Sequence, residues 1–192
     1  MKRSNIYLPM AALILTAALA VPAAAQKSVK MRFSGTVEGQ PAIKLQPDTN
    51  TDEENVAGNG TLGPFTFRGL RADETIPQSF GRCGDGSGPI LRVVAGGGVF
   101  RFQEGSLLTV KLTEGSSLCI DFAALLGHLT VTYQITGGTE RFKDASGNLT
   151  LTATWSPVLF NSNNVAVLLT STGELEGTVS GVSEEQGQDE GQ

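Results

Sequence analysis

Histidine, cysteine and tryptophan are scarce in this sequence, which has one, two and one of them in 192 residues. Zinc sites need several Cys or His ligands, and Ser-His-Asp or Cys-His catalysis would have to use the single histidine, His128. The G-x-S-x-G motif that carries the nucleophile of α/β-hydrolases is also absent. We therefore predict that His128 is a loop residue, and the sequence assigns no catalytic residue, no metal ligand and no cofactor.

Basic residues are outnumbered by acidic ones, 14 to 19, so the chain has a net charge of −5. Nucleic acids and anionic membrane surfaces are negatively charged and are poor partners for such a chain. After residue 25 no apolar run approaches the length of about 18 residues that a membrane-spanning helix needs. We predict no nucleic-acid partner and no membrane span.

The first 25 residues have the three parts of a secretory signal peptide. Lys2 and Arg3 precede an apolar run at 10–21, and the alanines at 23–25 are small residues suited to cleavage. Removing residues 1–25 takes away two basic residues and no acidic ones, which moves the net charge from −5 to −7. We predict a cleaved signal peptide and a secreted or periplasmic protein.

The rest of the chain divides into one domain and a tail. Residues 26–182 are enough for a single domain with its own core. Residues 183–192 are acidic and lack large apolar side chains, so we predict that they are disordered. Cys83 and Cys119 are the only cysteines, and in an exported chain we predict that they form a disulfide, with two unpaired thiols as the alternative.

Apolar and polar residues alternate with a period of two along residues 26–182, which predicts β-strands. Glycine-rich joints separate the runs, and the only short helical candidate is 122–127. We predict about eight to ten short strands in an all-β fold, either a closed barrel or a sandwich. The clearest runs are 29–37, 65–67, 100–102, 108–112, 118–122, 129–136, 149–155 and 175–179.

Charged residues alternate with the large apolar ones in several of these runs. Successive side chains of a strand point to opposite faces of the sheet. If the apolar faces line the interior, the outer surface carries Arg32, Arg68, Arg101, Lys111 and Asp121.

Carboxylates are the remaining candidates for chemistry. Acid–base catalysis by two carboxylates needs no histidine, and Asp121, Asp144 and Glu140 are the candidates for it. The segment PDTNTDEEN at 47–55 has the one-three-five oxygen spacing of a calcium loop, but Glu53 stands where that loop needs glycine. We predict an acidic solvated loop there, with a weak cation site as the alternative.

The segment YQITGGTERFKDASGNLTLTATW at 133–155 places two alternating runs around a glycine-centred turn. Gly137 and Gly138 permit the positive φ angles of a tight connection, and Gly147 allows the chain to approach the next strand closely. Phe142 can fold over the end of a barrel as a plug. We therefore predict that the turn is architectural.

In this segment the sequence resembles the allene oxide cyclase barrel-like families, which include plant dirigent proteins, allene oxide cyclases and small secreted bacterial proteins of unassigned function. The segment GELEGTVSG at 173–181 is similar to their closing strand, whereas Glu140 stands where glycine is usual. The resemblance implies a calycin-like, antiparallel β-barrel of about eight strands that is often oligomeric. The residues that match the shared turn pattern are Thr136, Gly137, Gly138, Thr139, Arg141, Phe142, Ala145 and Gly147.

The resemblance also implies the function classes to be compared. Enzymes of this group isomerise or steer small hydrophobic substrates inside the barrel, but their cavity residues lie outside the matched motif, so no ligand-binding residue carries over. Our leading hypothesis is a barrel that binds a small apolar ligand or serves as a structural module. The alternatives are an isomerase or cyclase, favoured by inward ionisable groups, and a surface module that binds a partner protein.

Overall fold

Ten antiparallel strands and one short 3-10 helix make up the part of the chain that the computed structural model describes, residues 26–113 and 115–183. The predicted signal peptide and nearly all of the predicted tail lie outside the described residues. The elements are β1 (Lys27–Gly39), β2 (Thr49–Gly60), β3 (Phe65–Glu74), β4 (Ser79–Cys83), β5 (Gly86–Phe102), β6 (Leu107–Leu112), β7 (Ser117–Asp121), β8 (Leu126–Gly138), the 3-10 helix η1 (Glu140–Phe142), β9 (Ser146–Phe160) and β10 (Ala166–Ser180).

The strands close into an eight-stranded antiparallel barrel, which confirms the predicted fold class. β1 pairs with both β2 and β10, and the circuit continues through β3, β5, β8 and β9. β6 and β7 both lie between β5 and β8, one after the other, and together fill one position of the barrel. β4 pairs with the first part of β5.

The strands are longer than the sequence pattern indicated. Apart from β6 and β7, the barrel strands have between 10 and 17 residues. The regular pairing continues through glycines and charged residues at which the apolar alternation stops, for example over residues 96–98 of β5. Backbone hydrogen bonding therefore extends beyond the segments that the apolar pattern marks.

Three predictions of local structure are wrong. Most of the segment 47–55 is not a solvated loop, because β2 begins at Thr49 and pairs with β1 and β3. His128 lies within β8 rather than in a loop, and it is half-buried. The short helical candidate at 122–127 is a turn followed by the start of β8. In the first two cases pairing with neighbouring strands determined the backbone, and the local composition did not show that pairing.

One end of the barrel, here called the closed end, is filled by aromatic side chains. The rings of Phe67 and Phe100 are 4.5 Å apart between centroids, and those of Phe65 and Phe100 are 5.5 Å apart. Phe142 is fully buried and lies 4.7 Å from Phe102, so it covers this end of the core. The inward positions that the alternation marked thus pack against one another as a continuous core.

Arg141 holds the segment that carries Phe142. Its guanidinium lies over the rings of Phe142 and Phe102, at 4.5 and 4.9 Å from their centroids. Nη2 donates a hydrogen bond to the backbone oxygen of Leu62 at 2.6 Å, and Nε is 2.7 Å from a carboxylate oxygen of Glu104. The arginine and phenylalanine of the turn motif therefore stabilise the end of the barrel.

The two glycines before this turn are required for different reasons. Gly137 has a φ angle of +134°, which L residues rarely adopt, and its side-chain direction is open. Gly138 does not have a positive φ angle, but a Cβ atom there would lie 2.2 Å from the Leu107 backbone oxygen and 2.7 Å from the Phe142 Cβ atom. The expectation that both glycines provide positive φ angles is correct for Gly137 alone.

The disulfide between Cys83 and Cys119 joins β4 to β7, and the two Cα atoms are 5.6 Å apart. Both strands pair with the first part of β5, so the bridge fastens the β4–β5 hairpin to the barrel wall.

Removing this bridge should destabilise the protein. We expect the double variant Cys83→Ser and Cys119→Ser to lose about 2–5 kcal/mol of unfolding free energy, because the unfolded chain gains conformational freedom. Urea unfolding monitored by circular dichroism measures this loss. Two reactive thiols in the unfolded, unreduced wild-type protein would show that the bridge does not form.

The close packing at Gly138 gives a second stability prediction. Gly138→Ala should lower the unfolding free energy by about 1–3 kcal/mol, because the new methyl group must displace the backbone or Phe142. Gly39→Ala is the matched control, since the nearest atom to its Cβ position is 3.9 Å away, and it should change stability by at most about 0.5 kcal/mol. Equal melting temperatures for both variants would contradict the packing argument.

Candidate ligand site at the open end of the barrel

The end of the barrel opposite Phe142 contains a cavity of about 710 Å³ that opens to solvent. It lies between the ends of the barrel strands and the loops that join β1 to β2, β7 to β8 and β9 to β10. We call it the open-end cavity, and the residues that matter for its chemistry are Asp52, Asp73, Leu118, Asp121, Trp155 and Leu169. Its volume is within the range of about 300–1,000 Å³ that is typical of small-molecule sites.

The walls and rim of the open-end cavity are mainly apolar. Leu118, Ile120 and Leu169 line it from the strands. At the rim, large apolar side chains are exposed to solvent, with Phe122 exposed by 65% and Phe160 by 42%. Large apolar side chains gathered at the mouth of a cavity are a feature of ligand-binding or partner-binding surfaces.

Asp52 and Asp73 line the floor of the cavity, and with Glu54 and Arg71 behind them they form an acid–arginine cluster. Arg71 is 1% exposed, and all three of its guanidinium nitrogens donate hydrogen bonds to carboxylates. Nη1 is 2.7 Å from both carboxylate oxygens of Asp73, Nε is 3.2 Å from Glu54, and Nη2 contacts Asp52. A buried arginine that is paired in this way has little capacity left for another anion.

Trp155 connects the cluster to the cavity. The Arg71 guanidinium carbon lies 4.0 Å from the centroid of the indole, a cation–π contact. Trp155 lines the cavity and is 3% exposed, and its Nε1–H has no hydrogen-bond acceptor among the described residues. A buried N–H without a protein acceptor is costly, so an oxygen of a water or of a ligand beside this donor would be favourable.

Burial changes the acidity of the cluster. Burial raises the pKa of Asp73 to about 6, and the charges of Asp52 and Glu54 act in the same direction, whereas the Arg71 guanidinium opposes the change. The pKa of Glu54 is raised as well, mainly because the group is fully buried. Burial together with the carboxylate of Glu54 also raises the pKa of the nearby Tyr133 hydroxyl well above its usual value. A carboxyl group with a pKa near 6 can exchange a proton close to neutral pH.

The alternation of β2 and β3 places these charged residues inside the barrel. In β3 the inward side chains of Phe65 and Phe67 are followed at the same period by Arg71 and Asp73. In β2 the inward position of Val56 is preceded by Glu54 and Asp52, and Asp52 lies directly opposite Arg71 in the strand register. The cluster could have been predicted from the sequence by extending the inward positions of each strand, at every second residue, beyond its last apolar residue.

The three carboxylates that the sequence singled out do not come together. Glu140, the first residue of η1, and Asp144, two residues after η1, are exposed at the closed end. Asp121 lies at the rim of the open-end cavity, where its Oδ1 accepts hydrogen bonds from the backbone N–H groups of Ala123 and Ala124. Asp121 therefore cannot pair with Glu140 or Asp144, because it lies at the opposite end of the barrel.

The charges expected on the outer surface follow the prediction with one exception. Arg32, Arg68, Arg101 and Lys111 are exposed. Asp121 is 4% exposed, because it packs against Gly86 of the β4–β5 hairpin. Across residues 26–113 and 115–183 the structure contains no group of three or more His, Cys, Asp or Glu side chains arranged to hold a metal ion.

Comparison with known proteins gives no assignment. The chain matches no protein-family model, and no curated protein or solved structure is significantly similar to it. Within the described part of the chain, no helix has the length and apolar character needed to cross a membrane.

The raised pKa of Asp73 predicts how stability depends on pH. The folded-state pKa of about 6 exceeds the ordinary value of 3.8, so the contribution of Asp73 is fully present below about pH 4 and is lost as the pH rises through 6. Asp73→Asn cannot ionise, and it should reduce this decline in unfolding free energy by an amount on the order of 3 kcal/mol or less.

Urea unfolding between pH 4 and pH 7 measures this decline, because this range covers the rise of the Asp73 pKa from 3.8 to about 6. The control is Asp144→Asn, which removes an exposed carboxylate at the closed end and should leave the wild-type slope unchanged. A slope for Asp73→Asn equal to that of the wild-type protein would contradict the assignment of the raised pKa to this residue.

Proposed function

We propose that this protein binds a small, largely apolar molecule in the open-end cavity. The observation that carries the proposal is the cavity itself, with about 710 Å³ of space, apolar walls and an opening to solvent. An eight-stranded barrel is wide enough to hold one small ligand. The closed end has the filled interior expected of a purely structural module, whereas the open end has this cavity.

The proposal includes a secreted or periplasmic location, with residues 1–25 removed as a signal peptide. The Cys83–Cys119 disulfide supports it, because structural disulfides persist mainly in oxidising compartments. Membership of the allene oxide cyclase barrel-like families is part of the same proposal, and the eight-stranded barrel is compatible with it. The oligomeric state that the resemblance implies stays a prediction.

Acid–base isomerisation is the second candidate, and the acid–arginine cluster favours it. Asp73 lines the cavity and has a pKa of about 6, which suits a general base that removes and returns a proton. Conversion of a β,γ-unsaturated cyclic ketone to its conjugated isomer, followed by ultraviolet absorbance, tests this activity. Asp73→Asn should abolish any acceleration, while Glu53→Gln, which alters a carboxylate paired with exposed Arg68, should preserve it.

Binding can be measured through Trp155, because it is the only tryptophan of the chain and lines the cavity. The uncharged apolar dye N-phenylnaphthylamine should quench Trp155 fluorescence by energy transfer, with a dissociation constant on the order of 1–100 μM. An excess of octanol should displace the dye and restore the fluorescence.

Filling the cavity provides the control for this measurement. The double variant Ile120→Phe and Leu169→Phe adds volume at two residues that line the cavity and should weaken dye binding about tenfold or more. The matched variant Thr130→Phe and Thr170→Phe adds the same side chains at exposed positions and should bind the dye as the wild-type protein does. Equal dye binding by both variants, or no saturable binding by the wild-type protein, would refute the proposal.

A further inference from the structure

We infer that the open-end cavity selects molecules with an apolar body and a positively charged head, of which apolar amines are the simplest class. The inference rests on the proposed binding function and adds the chemical class of the ligand. It follows from the carboxylates of Asp52 and Asp73 at the cavity floor and from the pairing of all three guanidinium nitrogens of Arg71 with protein carboxylates.

The acid–arginine cluster contains more acidic groups than basic ones. Three carboxylates, from Asp52, Glu54 and Asp73, surround one guanidinium. The cluster is therefore negative or neutral as long as no more than two of its three carboxyl groups hold protons. A positive head placed beside it compensates the excess charge, whereas a negative head adds to that charge.

The residues that line the cavity have the same imbalance. Asp52, Asp73 and Asp121 are acidic, and Lys44 is the basic lining residue within the described part of the chain. Lys44 lies in the exposed loop between β1 and β2, and its Nζ donates a hydrogen bond to the backbone oxygen of Thr49 at 2.8 Å. The basic lining residue thus lies in a surface loop, whereas the acidic residues Asp52 and Asp73 lie on β2 and β3.

Arg71 is not available to a ligand carboxylate. Its three nitrogens are hydrogen-bonded to protein carboxylates, and the indole of Trp155 covers the guanidinium at 4.0 Å. An anionic ligand that reached the floor would meet Asp52 and Asp73 instead of a free guanidinium, and like charges at short distance repel each other. The arginine therefore organises the acids and does not act as an anion receptor.

The carboxylates, in contrast, can accept further hydrogen bonds. The Asp52 side chain is 19% exposed, and a carboxylate has about four acceptor positions, of which Arg71 uses some. An ammonium head can donate charge-assisted hydrogen bonds to Asp52 and Asp73. The buried Nε1–H of Trp155 is a donor as well, so it would bond to an oxygen of the ligand body or of a water and not to the ammonium head.

The apolar side chains at the rim of the cavity would contact the apolar part of such a ligand. Phe122, Leu125 and Phe160 surround the mouth and are exposed in the protein alone. An amphiphile with its head at the floor would extend its apolar chain along the walls toward these side chains, and would bury apolar surface on both partners.

A matched set of three ligands tests the inference. Octylamine, octanol and octanoate share one apolar chain and carry a positive, a neutral and a negative head near neutral pH. Isothermal titration calorimetry below their aggregation concentrations should give octylamine an affinity about tenfold higher than octanol, since charge-assisted hydrogen bonds are about twice as strong as neutral ones. Octanoate should bind more weakly than octanol.

Variants of the floor assign the selectivity to its carboxylates. Asp52→Asn and Asp73→Asn should each bring the affinity for octylamine close to that for octanol, while unchanged octanol affinity shows that the cavity is intact. Glu53→Gln is the matched control, because Glu53 precedes Glu54 on β2 but its carboxylate pairs with exposed Arg68. This control should retain the wild-type preference for the amine.

The outcomes separate the two proposals. If octanoate binds as tightly as octylamine, or if both Asn variants keep the full amine preference, the inference is overturned and the binding function stands. If none of the three compounds binds, the proposed function fails and the inference fails with it. If neither Asn variant folds, the comparison of the three ligands on the wild-type protein still decides whether the cavity prefers a positive head.

Discussion

The buried guanidinium of Arg71 is the interaction on which the open half of the barrel depends. Inward positions of β2 and β3 carry three carboxylates, and burying carboxylates without a cation is costly. Because Arg71 contacts Asp52, Glu54 and Asp73 together, it joins two neighbouring strands through their side chains as well as through the sheet. The polar floor can therefore exist inside a barrel whose other inward positions are mainly apolar.

The two ends of the barrel use an arginine in different ways. At the closed end Arg141 lies over Phe102 and Phe142 and pairs with the single carboxylate of Glu104, so its charge is balanced. At the open end one arginine faces three carboxylates, and the end is left with an excess of acidic groups beside an open volume. The closed end therefore stabilises the fold. At the open end a bound ligand could interact with the excess carboxylates that the protein already buries.

Much of the fold could be predicted from the sequence because the side-chain period of a strand is fixed by the backbone. The alternation assigned Phe65, Phe67, Tyr133 and Trp155 to faces that are now seen to be buried, and it placed Arg32, Arg68, Arg101 and Lys111 outside. The turn after β8 was interpreted as architecture, and the contacts of Arg141 and Phe142 are those of a turn that closes the core. Strand lengths were underestimated, since the apolar pattern stops before the pairing does.

The acid–arginine cluster was missed because polarity was used to decide which side a residue faces. The acidic segment 47–55 has the composition of a solvated loop, and no property of Asp52 alone distinguishes it from an exposed aspartate. Asp52 faces the interior because it lies opposite Arg71 in the pairing of β2 with β3, which extends over ten residues. This register depends on contacts between two strands, so local sequence does not show it. The phase of the alternation was nevertheless present: two steps of two beyond Phe67 reach Arg71, and one more reaches Asp73. When the inward positions of a barrel strand change from apolar to charged residues, the buried charges need partners on neighbouring strands. Such positions are the places in a barrel sequence to search for chemistry.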